Sequence, residues 1–115
     1  MFLLVQLRTS QADAGEAELR SFHQWLNGDP DIRRQASVSL EPAAPVKGEM
    51  GTAFEVIKLV LESGFQVATF ALSYVTWRGT RRTRPAITIE RGDVSVSIDS
   101  DDPEIIAQAL RELGL

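Results

Sequence analysis

Residues 52–77 constrain this chain most, because they carry a nearly unbroken apolar run whose few polar residues recur at helical steps. Glu55, Lys58, Glu62, Gln66, Thr69, Ser73 and Thr76 follow one another at intervals of three or four. On a helix that spacing makes one narrow polar stripe. It predicts a single long helix over 52–77, roughly 39 Å at about 1.5 Å per residue. The run is entered by Gly48-Glu49-Met50-Gly51 and closed by a basic loop, 78–84, that holds Arg78, Arg81, Arg82 and Arg84. A helix with so narrow a polar face has more apolar surface than a small domain readily covers.

At 115 residues the chain fits one domain, 1–115, with a proline- and glycine-bearing linker over 42–51. Apolar residues make up 43% and charged residues 24%, inside the range of globular domains and outside that of disordered chains. A net charge of −4 argues against a general nucleic-acid binder, which needs an excess of Lys and Arg to neutralise phosphates. With no cysteine, disulfides, thiolate metal sites and cysteine nucleophiles are excluded. The apolar start lacks the basic segment and small-residue cleavage site of a secretion signal, so it reads as the first strand of a cytoplasmic protein.

The other segments follow ordinary patterns. Residues 2–8 form an apolar strand, and 14–27 a helix with Leu19, Phe22 and Leu26 on one face and Trp25 beside them. Asp13 with Glu16 looks like a capping box, and Gly28 before Asp29-Pro30 like a helix stop. Residues 35–41 alternate as a half-buried strand. Residues 86–91 and 93–99 alternate as a hairpin turning at Gly92-Asp93, and 103–113 form an amphipathic helix. The order is β-α-β-α-β-β-α, an α+β two-layer sandwich of about four strands with helices on one face and one unusually long apolar central helix. Four strands span roughly 19 Å and packed helices sit 8–10 Å apart, so about two helices fill the face and apolar helical surface is left over.

That surplus points to an interface. Gly64 and Ala68 form a small-xxx-small pair that permits close helix approach, and Phe65, Phe70, Leu72, Tyr74 and Trp77 surround it on the expected helix. These residues are the candidate surface for self-association or partner docking. Arg78, Arg81, Arg82 and Arg84 are the candidate basic contact patch, for an acidic partner, the acidic 99–104 run of a neighbouring copy, or anionic lipid headgroups. An anionic membrane is the alternative partner. The uncharged stretch 63–77 covers only about 22 Å of the roughly 30 Å hydrocarbon core, so insertion would require an oligomer with its polar stripe turned inward.

No catalytic, cofactor-binding or metal-ligating set is expected. His23 is the chain's one histidine and neighbours an apolar helix face. Ser37, Ser39, Ser95 and Ser97 lie on the polar face of strands without a G-x-S-x-G elbow, and no dinucleotide, P-loop or HExxH pattern occurs. Asp99-Ser100-Asp101-Asp102-Pro103-Glu104 fails the calcium-loop spacing and reads instead as a helix cap, with Asp101 or Asp102 at the N-cap. Arg91-Gly92-Asp93 is turn chemistry.

Several of these motifs resemble one family. Leu19-Arg20-Ser21 leading to Trp25-Leu26, then Asp29-Pro30 and Arg33, the Gly48-Glu49-Met50-Gly51 entry, the apolar run closing at Trp77-Arg78, and Asp102-Pro103-Glu104 resemble the effector-associated constant component family of bacterial conflict systems. The resemblance spans almost the whole chain. It implies a non-enzymatic adaptor in antiviral defence that self-associates and couples to an effector encoded alongside, such as a trypsin-like or caspase-like protease. It carries over no catalytic residue. A membrane-acting executioner, released by a trigger such as proteolysis, is the alternative.

Overall fold

A computed structural model describes residues 1–9, 15–42 and 55–115. Its elements are β1 (Phe2–Arg8), α1 (Gly15–Asn27), α2 (Pro30–Gln35), β2 (Ala36–Pro42), β3 (Glu55–Leu61), α3 (Val67–Gly79), β4 (Ala86–Arg91), β5 (Val94–Ile98) and α4 (Pro103–Glu112). The five strands form one antiparallel sheet in the order β2-β3-β1-β4-β5. The class is α+β, as the patterning indicates.

The register explains why the sheet has one dry face. Leu3 pairs with Leu59, Val5 with both Ile57 and Ile89, and Ile87 with Ile98, so these side chains project to the same side. All are buried in one core with Phe22, Leu26, Phe70, Tyr74, Trp77, Ile106 and Leu110 from the helices. The opposite face carries Gln6, Lys58, Thr88, Glu90, Ser95 and Ser97. Period-two alternation thus decides which side the helices cover.

The long helix over 52–77 does not form. Its first part is β3, which pairs with β1 and β2. The chain then turns through Gly64, at φ +94, and only Val67–Gly79 is helical. Val56, Ile57 and Val60 are β-branched, and Ile57 and Val60 are paired with neighbouring strands on both sides. Gly64 supplies a left-handed conformation that other residues adopt at a cost, and it ends the strand's direction. Gly64 therefore precedes α3, and it shares no helix with Ala68. No helix among the described residues is long and apolar enough to cross a membrane. The executioner alternative thereby loses the continuous helix that motivated it.

The surplus of apolar surface shrinks to a narrow line on α3 for two reasons. A fifth strand widens the sheet to roughly 24 Å, and α3 is half the expected length. In addition, α3 touches the other three helices, α1, α2 and α4, so it is packed on several sides. A helix enclosed in this way has no need of a wide polar face.

One element escapes the sequence pattern. Gly28 and Asp29-Pro30 do end α1, but the same Asp-Pro pair opens α2: Asp29 caps it by accepting from the Asp31 N–H at 3.0 Å, with Pro30 in the first turn. Asp102-Pro103 opens α4 identically, with Asp102 accepting from the Glu104 N–H at 2.9 Å. The capping residue of that helix is therefore Asp102. The Asp13–Glu16 capping box, the Gly48-Glu49-Met50-Gly51 entry and most of the 42–51 linker involve positions outside the described residues.

Candidate functional site around helix α3

The Trp…Asp-Pro motif and the expected interface helix meet in one hydrogen-bonded chain. Trp25, on α1, donates its indole N–H to Ser73 Oγ at 3.0 Å, and Ser73 donates to Asp29 Oδ2 at 3.1 Å. Asp29 thus uses one carboxylate oxygen to cap α2 and the other to hold α3. Ser73 is the buried middle of this chain, which explains a hydroxyl on an otherwise apolar helix. Four residues downstream, Trp77 donates its own indole N–H to Ser21 at 3.2 Å. The two tryptophans therefore staple α1 and α3 in opposite senses, one donating from each helix.

Beneath these bonds lies an aromatic cluster. Phe22 meets Trp77 at 4.7 Å between centroids, Tyr74 at 5.8 Å and Phe70 at 6.2 Å, the last two edge to face. Phe70, Tyr74 and Trp77 are thus core residues, against the expectation that they form a docking surface. Of the other expected interface residues, Phe65 is half-buried against the core, while Gly64, Ala68 and Leu72 face water. Leu72 is 59% exposed, and Trp25, whose ring reaches the neighbouring Ser73, is 37% exposed. Ala68, Leu72 and Thr76, spaced by four, make an uncharged exposed line along α3.

Tyr74 donates its hydroxyl to the carbonyl of Pro85, and burial pushes its pKa up from 10.0 to about 12. The neutral phenol is the form the fold favours, so its contribution to stability is complete below about pH 10 and is lost as pH climbs toward 12. It is the chain's single tyrosine, so tyrosinate absorbance reads this site alone. The expected titration stays flat through pH 10 and rises only as the near-ultraviolet dichroism collapses. A midpoint near 10 with the dichroism intact would contradict the burial.

The basic patch is largely occupied from within. Arg78 is 5% exposed. It donates to the Ser100 carbonyl at 2.8 Å and to Asp99, with Asp101 a further 3.2 Å from its Nε. Arg84 donates to the other oxygen of Asp101 at 2.8 Å. The acidic run that was a candidate partner on a neighbouring copy is thus engaged by arginines of its own chain. Arg81 makes a two-pronged pair with Glu18 on α1 and lies 5.9 Å from the Trp77 ring. The hydrogen bond from Arg81 holds the Glu18 carboxyl below its ordinary range, outweighing the opposing effect of burial. Arg82 is exposed. The arginines act chiefly as cross-braces that anchor the α3–β4 loop to α1 and to the β5–α4 connection.

His23 shares a 3.0 Å hydrogen bond with Asn27 on the same helix. Among the described residues no group of three or more His, Asp or Glu side chains is placed to hold a metal ion.

These features define a small α+β domain in which an antiparallel sheet carries its helices on one face and the Trp25–Ser73–Asp29 chain locks the central helix. The chain belongs to the Effector Associated Constant Component 1 family, whose sequence model matches residues 11–114. No curated protein and no solved structure matches it.

Proposed function

We propose that this protein is a non-enzymatic adaptor of a bacterial antiviral conflict system that self-associates and couples to an effector, a trypsin-like or caspase-like protease encoded alongside it. The observation that carries this reading is the family match over residues 11–114, since the family is named for its association with effectors. The fold supports it physically. With Phe70, Tyr74 and Trp77 committed to the core, the uncharged line of Ala68, Leu72 and Thr76, beside the half-open Trp25 ring, is the part of α3 available to another copy. Aromatic and apolar anchors of this kind are enriched at interface centres.

The test is co-expression with the neighbouring protease, followed by affinity capture and sedimentation. The expected result is co-purification of the two proteins and an assembly larger than the monomer. Leu72→Asp should shift that assembly toward monomer without changing the circular dichroism. A protease that elutes alone, or an unaltered sedimentation profile in the variant, would overturn the corresponding half of the reading.

A further inference from the structure

The sheet has two edges, β2 and β5, and they differ. β2 carries Glu41 and ends at Pro42, features that discourage further pairing. β5 has no Pro, no Lys and no bulge, and its register to β4 runs unbroken from Arg91↔Val94 to Ile87↔Ile98. Its turn has Gly92 at φ +60 followed by Asp93, which is not among the residues of positive φ, so it is of type II′. Such a two-residue turn makes Arg91 and Val94 the closing hydrogen-bonded pair. The antiparallel alternation then directs the N–H and C=O of Val94, Val96 and Ile98 to β4, and those of Ser95 and Ser97 outward. Both serines are exposed.

Beside the start of β5 lies an open groove lined by Met1, Phe2, Arg91, Val94, Glu112 and Leu113, among others. Met1 and Val94 are 61% and 58% exposed, so large apolar side chains flank the groove where the strand begins. The charges around the edge are mainly acidic. Glu90 sits across from Ser95, Asp93 is in the turn, Asp99 follows Ile98, and Glu112 is in the groove. The local cation Arg91 donates to the Leu113 carbonyl, and Arg78 and Arg84 hold Asp99 and Asp101, whose side chains stay well exposed. A second copy adding antiparallel with the two β5 strands fully overlapped would set Asp93 against the other copy's Asp99 at both ends, a repulsive arrangement.

We propose that the β5 edge receives an extended segment of a partner protein as a sixth strand, one with alternating apolar and polar side chains and Lys or Arg at both ends. Backbone bonds to Ser95 and Ser97 hold the segment, one apolar side chain enters the groove, and its terminal cations meet Asp93 and Asp99. The adaptor reading matters here only for naming the protein that supplies the segment.

The probe is a capped heptapeptide, Lys-Val-Thr-Val-Thr-Val-Lys, titrated into isotope-labelled protein and followed by amide resonances and hydrogen exchange. Expected are saturable shifts centred on Ser95, Ser97 and the groove, with slowed exchange of those two amides. Ser95→Pro should weaken binding about tenfold or more and leave the remaining spectrum in place, since the lost N–H points away from β4. Asp93→Lys, at an exposed turn, should weaken the lysine-ended peptide and strengthen a glutamate-ended one, which gives a second reading if the proline variant misfolds. Absence of saturable shifts, shifts centred elsewhere, or equal binding of both peptides to the unaltered protein would overturn the proposal. Probe binding without co-purification of the protease would leave the edge standing and sink the adaptor reading. Co-purification without probe binding would do the reverse.

Discussion

Trp77→Ala is expected to lower the unfolding free energy by about 3–5 kcal/mol, the cost of removing a large aromatic from a packed core. That is a large share of the roughly 5–15 kcal/mol that holds an ordinary domain together. Trp77 is fully enclosed, touches Phe22 and Tyr74, underlies Arg81 and donates to Ser21. Truncation opens a cavity at the centre of the helix layer and leaves the Ser21 hydroxyl without its donor. Trp77→Phe keeps most of the ring volume and should cost less than half as much. Denaturant unfolding followed by circular dichroism measures both. The alternative assignment of Trp77 to a surface interface makes the opposite statement: Ala would leave the midpoint unchanged and alter only the assembly size. An unchanged midpoint would therefore refute the core placement.

Ile57→Asp and Val60→Asp form the second decisive pair. On a helix, positions 57 and 60 are three apart and share a face, so the two substitutions would act alike. In β3 they point to opposite sides: Ile57 is fully buried, paired with Val5 and Leu40, while Val60 is 40% exposed and paired with Phe2 and Ser37. Ile57→Asp places an unpaired carboxylate in the core. It is expected to cost more than about 4 kcal/mol, enough to leave the protein unfolded or insoluble. Val60→Asp should change stability by about 1 kcal/mol or less, because water reaches the new charge. Thermal unfolding of the two purified variants reads the difference directly. Equal damage from both would restore the helical reading.

The strand that these variants probe shows how far local pattern reaches. β4 and the hairpin turn are legible because one face of the strand is polar and the turn residues are distinctive, and β1 because it is a short apolar run. β3 is not, because its outward positions include Val56 and Val60 beside Lys58, which blurs the alternation. The spacing of Glu55, Lys58 and Glu62 then mimics a helical stripe by coincidence. Ser63-Gly64 marks the break, yet a single glycine inside an apolar run is also compatible with a helix. The short α2 hides behind a Gly-Asp-Pro signal that looks like a helix stop, although the same Asp-Pro pair opens α4. The motif residues of the family resemblance were visible as letters. That Trp25, Asp29 and Ser73 form one hydrogen-bonded chain was not, because Ser73 lies 44 residues beyond Asp29.

The arginine loop shows the same division. Its density of charge was plain in the sequence, and so was the acidic run after β5. Only the tertiary structure set Arg78 between Asp99 and Asp101, gave Arg81 to Glu18, and turned an apparent external patch into internal bracing. What the sequence determined by itself is what depends on neighbours within a few positions: the two-sided strands, the place of the hairpin turn, the Asp-Pro start of α4, the α+β class and the family. Which apolar residues are core and which are surface, and whether charges meet their partners at home or in another molecule, depends on contacts between distant segments. Those contacts arise only when β3 enters the sheet and α3 is packed among three other helices, because burial is a property of the assembled layers.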